Sequence, residues 1–248
     1  MNETVNAFLA IRLGSTRVPF KNLRLLDQKP LYEYLTDSAI ECKNIDNLYI
    51  NSDSNIVIDI SKTKYGNLLN YYQRPEELGT SEASLDDYVY DFMTKFESDY
   101  TVFLNPCSLF LKAKTIDNAI KYAIDKNLDS CVASFPSRTH CFLDSQAINF
   151  DSNERQPRSQ DIIPVHNMTS GFFIWKNVTF KSSYDDKGFA NFSGKFESYA
   201  ITKIEAVDID EEEDFEFAER LITGKYNSDA KFHDNVSHLI TQGKIKTN

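Results

Sequence analysis

A cluster of charged and polar side chains follows directly after the first apolar run of the chain, residues 5–11. Within eleven residues, 12–22, it holds three cations, two hydroxyls and one glycine. These are Arg12, Gly14, Ser15, Thr16, Arg17 and Lys21, with Asn22 at the end. Guanidinium groups pair bidentately with phosphate oxygens, and backbone N–H groups add further donors. A loop of this composition at the carboxyl end of a strand, where open α/β sheets bind ligands, suits a polyphosphate.

The spacing of this loop disfavours two common classes of nucleotide-binding protein. It has neither the G-x-x-x-x-G-K-[ST] spacing of a Walker loop nor the G-x-G-x-x-G of a dinucleotide fold. The alternative is a surface turn whose basic side chains are merely solvated. Its place directly after the first strand favours ligand binding, and we therefore infer a nucleotide-handling enzyme.

Two carboxylates, Asp208 and Asp210, stand at alternate positions late in the chain. We expect them at a strand end, where a period of two puts both on one face and turns Ile209 into the core. Such a pair can hold Mg²⁺, which prefers hard oxygen ligands and shares its remaining positions with water and phosphates. The alternative is that these acids, like those of 211–214, only favour the N-terminal end of a helix.

Polar groups also follow two other predicted strands. Arg74 comes after the third, where a base or ribose would lie, or it belongs to a simple turn. Asn105 ends the fourth, and its amide can read a pyrimidine edge or merely start a turn. Arg158 offers a guanidinium to a carboxylate or is a solvated loop charge. The histidines have no metal or triad spacing, so we expect packing or surface roles for His140, His166, His233 and His238.

Apolar runs alternate with amphipathic segments over the first half of the chain, which predicts βαβ units and a mainly parallel sheet. The predicted strands are 5–11, 47–51, 68–72, 101–105 and 130–135. The predicted helices between them are 31–42, 56–65, 85–96 and 116–124.

The alternation lapses after residue 135 into a polar stretch that is too long for an unstructured loop in a compact domain. We interpret about 136–166 as an inserted hairpin or arm. A strand is expected at 171–175, a polar connection at 182–194, a further strand at 199–208 and a helix from 211–214 to 221. The weakly amphipathic tail, 227–242, is expected to pack outside.

The 248 residues carry a net charge of −10, which opposes binding to nucleic acid or to an anionic membrane. The four cysteines form no C-x-x-C pair, so we expect reduced, buried thiols. The start of the chain has an acidic Glu3 and a short apolar run, and no stretch approaches a membrane span. We therefore expect a soluble protein of the cytoplasm.

Taken together, these segments resemble the acylneuraminate cytidylyltransferase family, the CMP-sialic acid and CMP-3-deoxy-octulosonate synthetases. Residues 12–22 match its opening signature, A-R-x-G-S-x-x-x-P-x-K-N, at every fixed place from the Arg onward. The order of segments holds from about residue 4 to 222. The other similar segments are 74–78 (R-P-x-x-L), 105–108 (Q-P-T-S), 158–161 (R-R-Q-D), 170–174 (N-G-A-hydrophobic) and 208–219 (D-I-D-x-x-x-D-F-x-x-A-E).

The resemblance implies an α/β fold, a single Rossmann-like nucleotidyltransferase domain over 1–248 with an inserted dimerisation arm. It implies CTP and an acidic sugar as substrates, Mg²⁺ as cofactor and a homodimer. By the same likeness Arg12 and Lys21 neutralise the CTP phosphates in catalysis, and Asp208 with Asp210 holds the metal. The implied nucleotide-binding residues are Gly14, Ser15, Asn22, Arg74 and Asn105. The implied sugar-binding residues are Arg158, Gln160 and Ser170, Arg158 acting in its own site or in that of the neighbouring subunit.

Several positions depart from the family pattern. Asn105 replaces a Gln at the pyrimidine site, Ser81 replaces an Asp, and residues 109–111 replace Pro-Leu-Arg. Ser170 stands where sialic acid enzymes have an Asn that touches the sugar. The residues implied for nucleotide binding match the family pattern more closely than the residues implied for sugar binding.

The resulting hypothesis is attack by a hydroxyl of a nonulosonic or octulosonic acid on the α-phosphorus of CTP, giving a CMP-sugar and pyrophosphate for surface glycan synthesis. Magnesium and the basic loop would offset the negative charge that develops. Two alternatives stay open. The acceptor could be another small anionic metabolite, or the chain could be a non-catalytic nucleotide-binding homologue.

Overall fold

The computed structural model of the chain describes residues 3–15, 17–80, 82–224 and residue 242. The strands are β1 (Val5–Ile11), β2 (Leu25–Leu26), β3 (Lys29–Pro30), β4 (Asn47–Ser52), β5 (Asn70–Gln73), β6 (Tyr100–Leu104), β7 (Ser130–Ser137), β8 (Phe142–Leu143), β9 (Gln146–Ala147), β10 (Val165–Lys176) and β11 (Phe196–Ala200). The α-helices are α1 (Leu31–Ile40), α2 (Asn55–Tyr65), α3 (Leu85–Lys95), α4 (Ala113–Asp125), α5 (Asn177–Lys187) and α6 (Glu212–Ile222).

Seven strands form the main sheet in the order β11-β7-β10-β6-β1-β4-β5. β1 lies parallel to both β4 and β6, and β5 continues the parallel side. β10 is antiparallel to β6 and β7, and β11 runs parallel to β7. The predicted α/β class with a mainly parallel sheet is confirmed. The loops that follow β1, β4, β5 and β6 therefore meet at one edge, which is where such sheets place ligand sites.

Apolar side chains cover both faces of the sheet. In β1, Leu9 belongs to a buried cluster that includes Ile120 of α4, whereas Phe8 belongs to one on the other face that includes Phe92 of α3. The Phe8 and Phe92 ring centroids lie 4.4 Å apart. Burial on both faces explains why β1 is a continuous apolar run rather than an alternating one. It also fixes the end of β1, where the basic loop begins.

The predicted arm contains the antiparallel hairpin of β8 and β9. Its base is formed by the ends of β7 and β10, which pair from Ser137 opposite Val165 to Ser134 opposite Met168. The register then shifts between Met168 and Phe173, and such a shift bends a strand out of its sheet. β10 is consequently much longer than the predicted strand at 171–175.

The strand predicted at 199–208 is wrong, because β11 ends at Ala200 and residues 201–210 are irregular. The buried carboxylate of Glu205 accepts hydrogen bonds from the hydroxyl of Thr115, the backbone N–H of Lys112, and both the N–H and the hydroxyl of Thr202. Side-chain bonds to the backbone therefore replace strand pairing here.

The polar connection predicted at 182–194 is also wrong in part, since α5 continues to Lys187. This helix buries only Asn177 and Phe180, so it lacks the apolar periodicity that would reveal it. The predicted tail at 227–242 lies outside the described residues, apart from residue 242. No helix in the described ranges is both long and apolar enough to span a membrane.

Candidate active site

A cleft of about 260 Å³ opens at the carboxyl edge of the parallel strands. It gathers side chains from the loops after β1, β5 and β6 and from the segment that precedes α6. The sequence-predicted residues that line it are Arg12, Gly14, Ser15, Lys21, Asn22, Arg74, Asn105 and Asp210. The expected clustering of the basic loop with an acidic group is thus present, while the roles assigned to these residues stay predictions.

Polar contacts to the protein hold the basic loop in place. The buried amide of Asn22 donates to the carbonyl of Arg12 at 3.3 Å. Asp53, which follows β4, accepts a hydrogen bond from the backbone N–H of Leu13 at 3.3 Å. A Cβ at Gly79 would lie 2.5 Å from Cβ of Asp53, so only glycine fits opposite that carboxylate. Asp53 was not identified from the sequence, although it follows a strand as the other site residues do.

Gly14 lines the cleft without being required by the fold. A Cβ placed on it meets no protein atom within 4 Å, so a side chain there would project into open space. The absence of a side chain leaves room for a ligand to approach the backbone closely.

Two cations of the loop, Lys21 and Arg17, contact Asp210, whereas the guanidinium of Arg12 donates to the carbonyl of Thr80 at 3.4 Å. The Lys21 side chain is 13% exposed. Its ammonium lies 3.5 Å from Oδ1 of Asp210 and donates to the carbonyl of Ile209. Arg17 contacts the same Oδ1 at 2.8 Å and Glu211 at 3.3 Å. Arg17 was placed in the predicted loop without a role of its own. The loop therefore already neutralises one member of the acidic pair.

Asp208 and Asp210 lie in an irregular segment rather than at the predicted strand end. Ile209 between them is nonetheless fully buried, in an apolar cluster with Val18 and Leu26. Anchoring of Ile209 thus turns both carboxylates away from the core, as the expected alternation required. Glu211 and Asp214 form a capping box for α6, which agrees with the capping role predicted for 211–214.

Neutral donors surround the carboxylate of Asp208. The amide of Asn105 lies 3.4 Å from both its oxygens, Ser108 Oγ lies 3.5 Å from Oδ1, and Ser170 Oγ donates to Oδ2. Burial raises the pKa of Asp208, and the charge of Asp210 raises it further, while Ser170 and Lys21 oppose the shift. The two acids therefore differ, since Asp210 is about half exposed and paired with cations.

Both ends of the Asn105 amide are used within the protein, because its Oδ1 accepts from the backbone N–H of Cys107 at 3.2 Å. Asn105 and Ser170 thus hold Asp208 in this structure, and their predicted contacts to pyrimidine and sugar stay predictions. Burial raises the pKa of the Cys107 thiol to about 12, so this cleft residue is protonated and is no nucleophile at neutral pH.

Arg158 and Gln160 lie in the arm and do not line the cleft. Arg158 pairs with Asp161 at 2.7 Å on an exposed surface, and the carbonyl of Gln160 accepts from Arg138 at 3.3 Å. His140 and His166 make local contacts, to the carbonyl of Pro157 and to Ser134 Oγ, in line with the predicted packing role. The other two histidines lie outside the described residues.

Within residues 3–224, apart from 16 and 81, no group of three or more His, Cys, Asp or Glu side chains could hold a metal. Among the described residues that line the cleft, Asp210 is the one acid, and the sequence-predicted Asp208 and Ser170 are not part of that lining. Magnesium commonly binds through one or two carboxylates together with water and substrate phosphates.

The cytidylyltransferase family model matches residues 7–240, nearly the whole chain. The chain belongs to this cytidylyltransferase family. An N-acylneuraminate cytidylyltransferase of Streptococcus agalactiae serotype V is 26% identical over 213 residues, which are 82% of this chain and 50% of the relative. A CMP-N,N'-diacetyllegionaminic acid synthase of Legionella pneumophila is 27% identical over 229 residues, 87% of this chain and 95% of the relative.

A solved structure of CMP:2-keto-3-deoxy-manno-octonic acid synthetase complexed with CTP is similar in fold, with a TM-score of 0.66. It shares 13% identity, and the match covers 90% of this cytidylyltransferase-family chain and 100% of that chain. The likeness supports the fold alone. The chain spans about half the length of the N-acylneuraminate cytidylyltransferases of Streptococcus agalactiae that it matches.

Replacing Asp208 with Asn is expected to raise the free energy of unfolding of the ligand-free protein near neutral pH by about 1 kcal/mol, because burial makes the ionised carboxylate costly. A raised folded-state pKa means that the wild type loses stability as pH rises from the unfolded-state value through the folded-state value. The gain should therefore vanish at acidic pH, below both values. Urea unfolding at several pH values without divalent cations measures it.

Asp210→Asn is the matched control, since Asp210 is half exposed and pairs with Arg17 and Lys21. It should give no such gain. A clear loss of stability in Asp208→Asn at neutral pH would show that the hydrogen bonds to this carboxylate outweigh its burial.

Proposed function

We propose that this chain transfers CMP from CTP to a hydroxyl of an acidic sugar, releasing pyrophosphate. The observation that carries the proposal is the basic loop in contact with Asp210 in one cleft of a chain of the cytidylyltransferase family. A triphosphate needs positive charge on its oxygens, and a chain with net charge −10 supplies that charge locally in this loop.

We propose Mg²⁺ as the cofactor, held by Asp208 and Asp210. Their carboxylates are hard oxygen donors, and hydrogen bonds from Asn105 and Ser170 fix the direction of Asp208. When bound, the metal would supply positive charge to offset the negative charge that develops on the phosphates. Arg17, now paired with Asp210, would then be free to contact the triphosphate.

The residues of the loop take distinct roles in this proposal. Arg12 and Lys21 stabilise the departing pyrophosphate, while Gly14 and Ser15 let the phosphates approach the backbone. Positioning and charge neutralisation carry the reaction, since no histidine is among the residues described as lining the cleft and the Cys107 thiol is protonated.

We assign Asn22 and Arg74, which also line the cleft, to the nucleoside. Arg74 is buried and lines the cleft, with its backbone N–H held by the carbonyl of Ser52 at 2.8 Å. Asn22 is fixed against the carbonyl of Arg12. Asn105 also lines the cleft, and its amide contacts Asp208.

For the acceptor we propose a nonulosonic or octulosonic acid. Relatives of the chain support this class, because they are enzymes of N-acylneuraminate, N,N'-diacetyllegionaminic acid and pseudaminic acid. The hydroxyl of Ser170 donates to Asp208. In this proposal, other groups therefore also hold the sugar. Arg158 and Gln160 would reach an acceptor only from a neighbouring subunit, since they do not line the cleft of their own chain.

We also propose that the reaction takes place in the cytoplasm. All four cysteines are free thiols, as is usual for proteins of reducing compartments: Cys42, Cys107, Cys131 and Cys141. The buried Cys107 and Cys131 have pKa values raised to about 12 by burial, which keeps them unreactive.

Incubation of the protein with CTP, Mg²⁺ and a panel of 2-keto sugar acids is expected to release pyrophosphate and give a CMP conjugate detectable by mass. Lys21→Ala should lower kcat/KM for CTP by roughly 100-fold, because it removes a partly buried charge aimed at the leaving group. Lys29→Ala is the control, since Lys29 pairs with Asp37 outside the cleft.

Near wild-type turnover in Lys21→Ala would refute the phosphate role of Lys21. Tight CTP binding without pyrophosphate release for any acid in the panel would favour the second candidate, a non-catalytic nucleotide-binding homologue. Release with an anionic acceptor other than a sugar acid would keep the nucleotidyl transfer and replace the acceptor.

Gly14→Ala tests the close approach of phosphate to the loop. The new Cβ meets no protein atom within 4 Å, so the free energy of unfolding should change by less than about 0.5 kcal/mol. CTP binding should nevertheless weaken on the order of tenfold, because the methyl group occupies the space of the ligand. Isothermal calorimetry with CTP and Mg²⁺ reports the binding. Unchanged affinity would mean that no ligand atom comes close to this Cα.

We propose a homodimer formed through the arm. Five large apolar side chains of the arm and its base are exposed: Phe142, Leu143, Ile148, Ile163 and Met168. A concentration of this kind marks an interaction surface on a protein that is otherwise strongly charged. A second copy is the occupant that would also bring Arg158 toward a cleft.

Leu143→Asp should shift the protein from dimer to monomer in light scattering after size-exclusion chromatography. The matched control is Leu68→Asp, because Leu68 is equally exposed, 69% against 70%, and lies outside the arm. A monomeric wild type, or a dimer that tolerates Leu143→Asp and Ile163→Asp together, would contradict the arm as the interface.

A further inference from the structure

Arg74 is a buried cation with almost no polar compensation from the protein. It is 4% exposed, its Nε has no hydrogen-bond partner, and no carboxylate pairs with the guanidinium among the described residues. Burial lowers its pKa, and the nearby charge of Arg12 lowers it further, while Tyr88 and Asp53 act in the opposite direction. A buried charge without a partner costs folding free energy unless something else solvates it.

The group that solvates it is the ring of Tyr88, whose centroid lies 4.8 Å from the guanidinium carbon. Tyr88 stands in the first turns of α3, directly after a capping box in which Ser84 and Asp87 exchange hydrogen bonds. Its ring is further packed against Phe8 and Phe103, with centroids 6.4 and 6.3 Å away. The ring is therefore fixed on three sides and presents one face to Arg74.

The hydroxyl of Tyr88 is available to a ligand. Tyr88 lines the cleft, and its hydroxyl makes no hydrogen bond to the part of the protein that is described, whereas Tyr90 on the same helix bonds Asp185. Burial raises the pKa of Tyr88 to about 12, against the opposing charges of Arg74 and Arg12. The hydroxyl therefore stays protonated at neutral pH and can donate a hydrogen bond.

We propose that Tyr88 is a nucleoside-binding residue of the cleft. Its ring lies against the guanidinium of Arg74, and its hydroxyl donates a hydrogen bond to an acceptor oxygen of the nucleoside. The assignment rests on the proposed function, because it takes CTP as the ligand. The apolar side chains of Leu78, Leu85 and Phe103 line the same cleft and suit the base and ribose, whereas the proposed function assigns the phosphates to Lys21, which contacts Asp210. The acceptor is a ribose hydroxyl or a carbonyl of the base.

Calorimetric titration of the full chain with CTP and Mg²⁺ tests this role with three variants. Tyr88→Phe keeps the ring and removes the hydroxyl, and should weaken CTP binding about fivefold. Tyr88→Leu also removes the aromatic face under Arg74, and should weaken it by more than about 20-fold. Tyr90→Phe, the matched control, loses a hydroxyl on the exposed side of the same helix and should bind as the wild type does.

Parallel titrations with 2′-deoxy-CTP identify the acceptor. If the hydroxyl contacts the ribose 2′-oxygen, Tyr88→Phe weakens CTP binding and leaves 2′-deoxy-CTP unchanged. If it contacts the base, both ligands lose the same factor. Melting temperatures of the variants separate loss of folding from loss of binding, and Tyr88→Phe is the variant that keeps the packing volume.

Wild-type binding of CTP with Tyr88→Phe and Tyr88→Leu both within twofold of it would overturn the assignment of Tyr88 and leave the proposed function intact. Failure of the wild type to bind CTP would overturn the proposed function and this role with it.

Discussion

The attraction between the basic loop and Asp210 organises the cleft on which the rest of the site depends. Arg17 and Lys21 both approach one carboxylate oxygen, at 2.8 and 3.5 Å. The Arg17 pair is weak, because its two side chains are 56% and 48% exposed and water competes for them. The loop is thus held close to the acids without being locked to them, so a ligand that offers phosphate and metal charge can replace these ion pairs at little cost.

The two aspartates differ in how firmly their surroundings hold them. Asp208 is half-buried among the neutral donors Asn105, Ser108 and Ser170, which fix its orientation without cancelling its charge. Asp210 is half exposed, and its charge is met by cations that can move. A cation entering between them would find one oxygen ligand already positioned and could draw the other from its partners. One carboxylate of the pair is therefore fixed in position, and the other can change its partners.

The fold and much of the cleft could be predicted from sequence because the signals were local. The apolar run of β1 fixes where the basic loop begins, and the strand order brings Arg74 and Asn105 to the same edge. The strand predicted before Asp208 was wrong because hydrogen bonds from Thr115 and Thr202 hold Glu205 in an irregular segment. Such side-chain contacts leave no periodic pattern in the sequence.

Asp53 and Tyr88 were missed for a related reason. Asp53 matters only because the loop after β1 and Gly79 both pack onto it. Tyr88 has the spacing of an ordinary core residue of α3, and its second role arises only when Arg74 is placed over its ring. Such functions depend on contacts between elements, which the order of residues along one element does not specify.

Charges of opposite sign lie at two ends of the proposed site, Arg74 in the cleft and the half-buried Asp208 next to Asp210, and in the proposed function this polarity orients the nucleotide. At one end the ionised carboxylate of Asp208 resists burial and is relieved by a cation. At the other end the guanidinium of Arg74 resists burial and is relieved by an acceptor. A nucleotide that carries a metal on its phosphates and acceptor oxygens on its nucleoside satisfies both ends in one direction only. The reverse orientation would place the nucleoside against Asp208, which would lose its cation, and the metal against the cationic Arg74. In the proposed function, the cost of removing Arg74 and Asp208 from water therefore favours one binding direction.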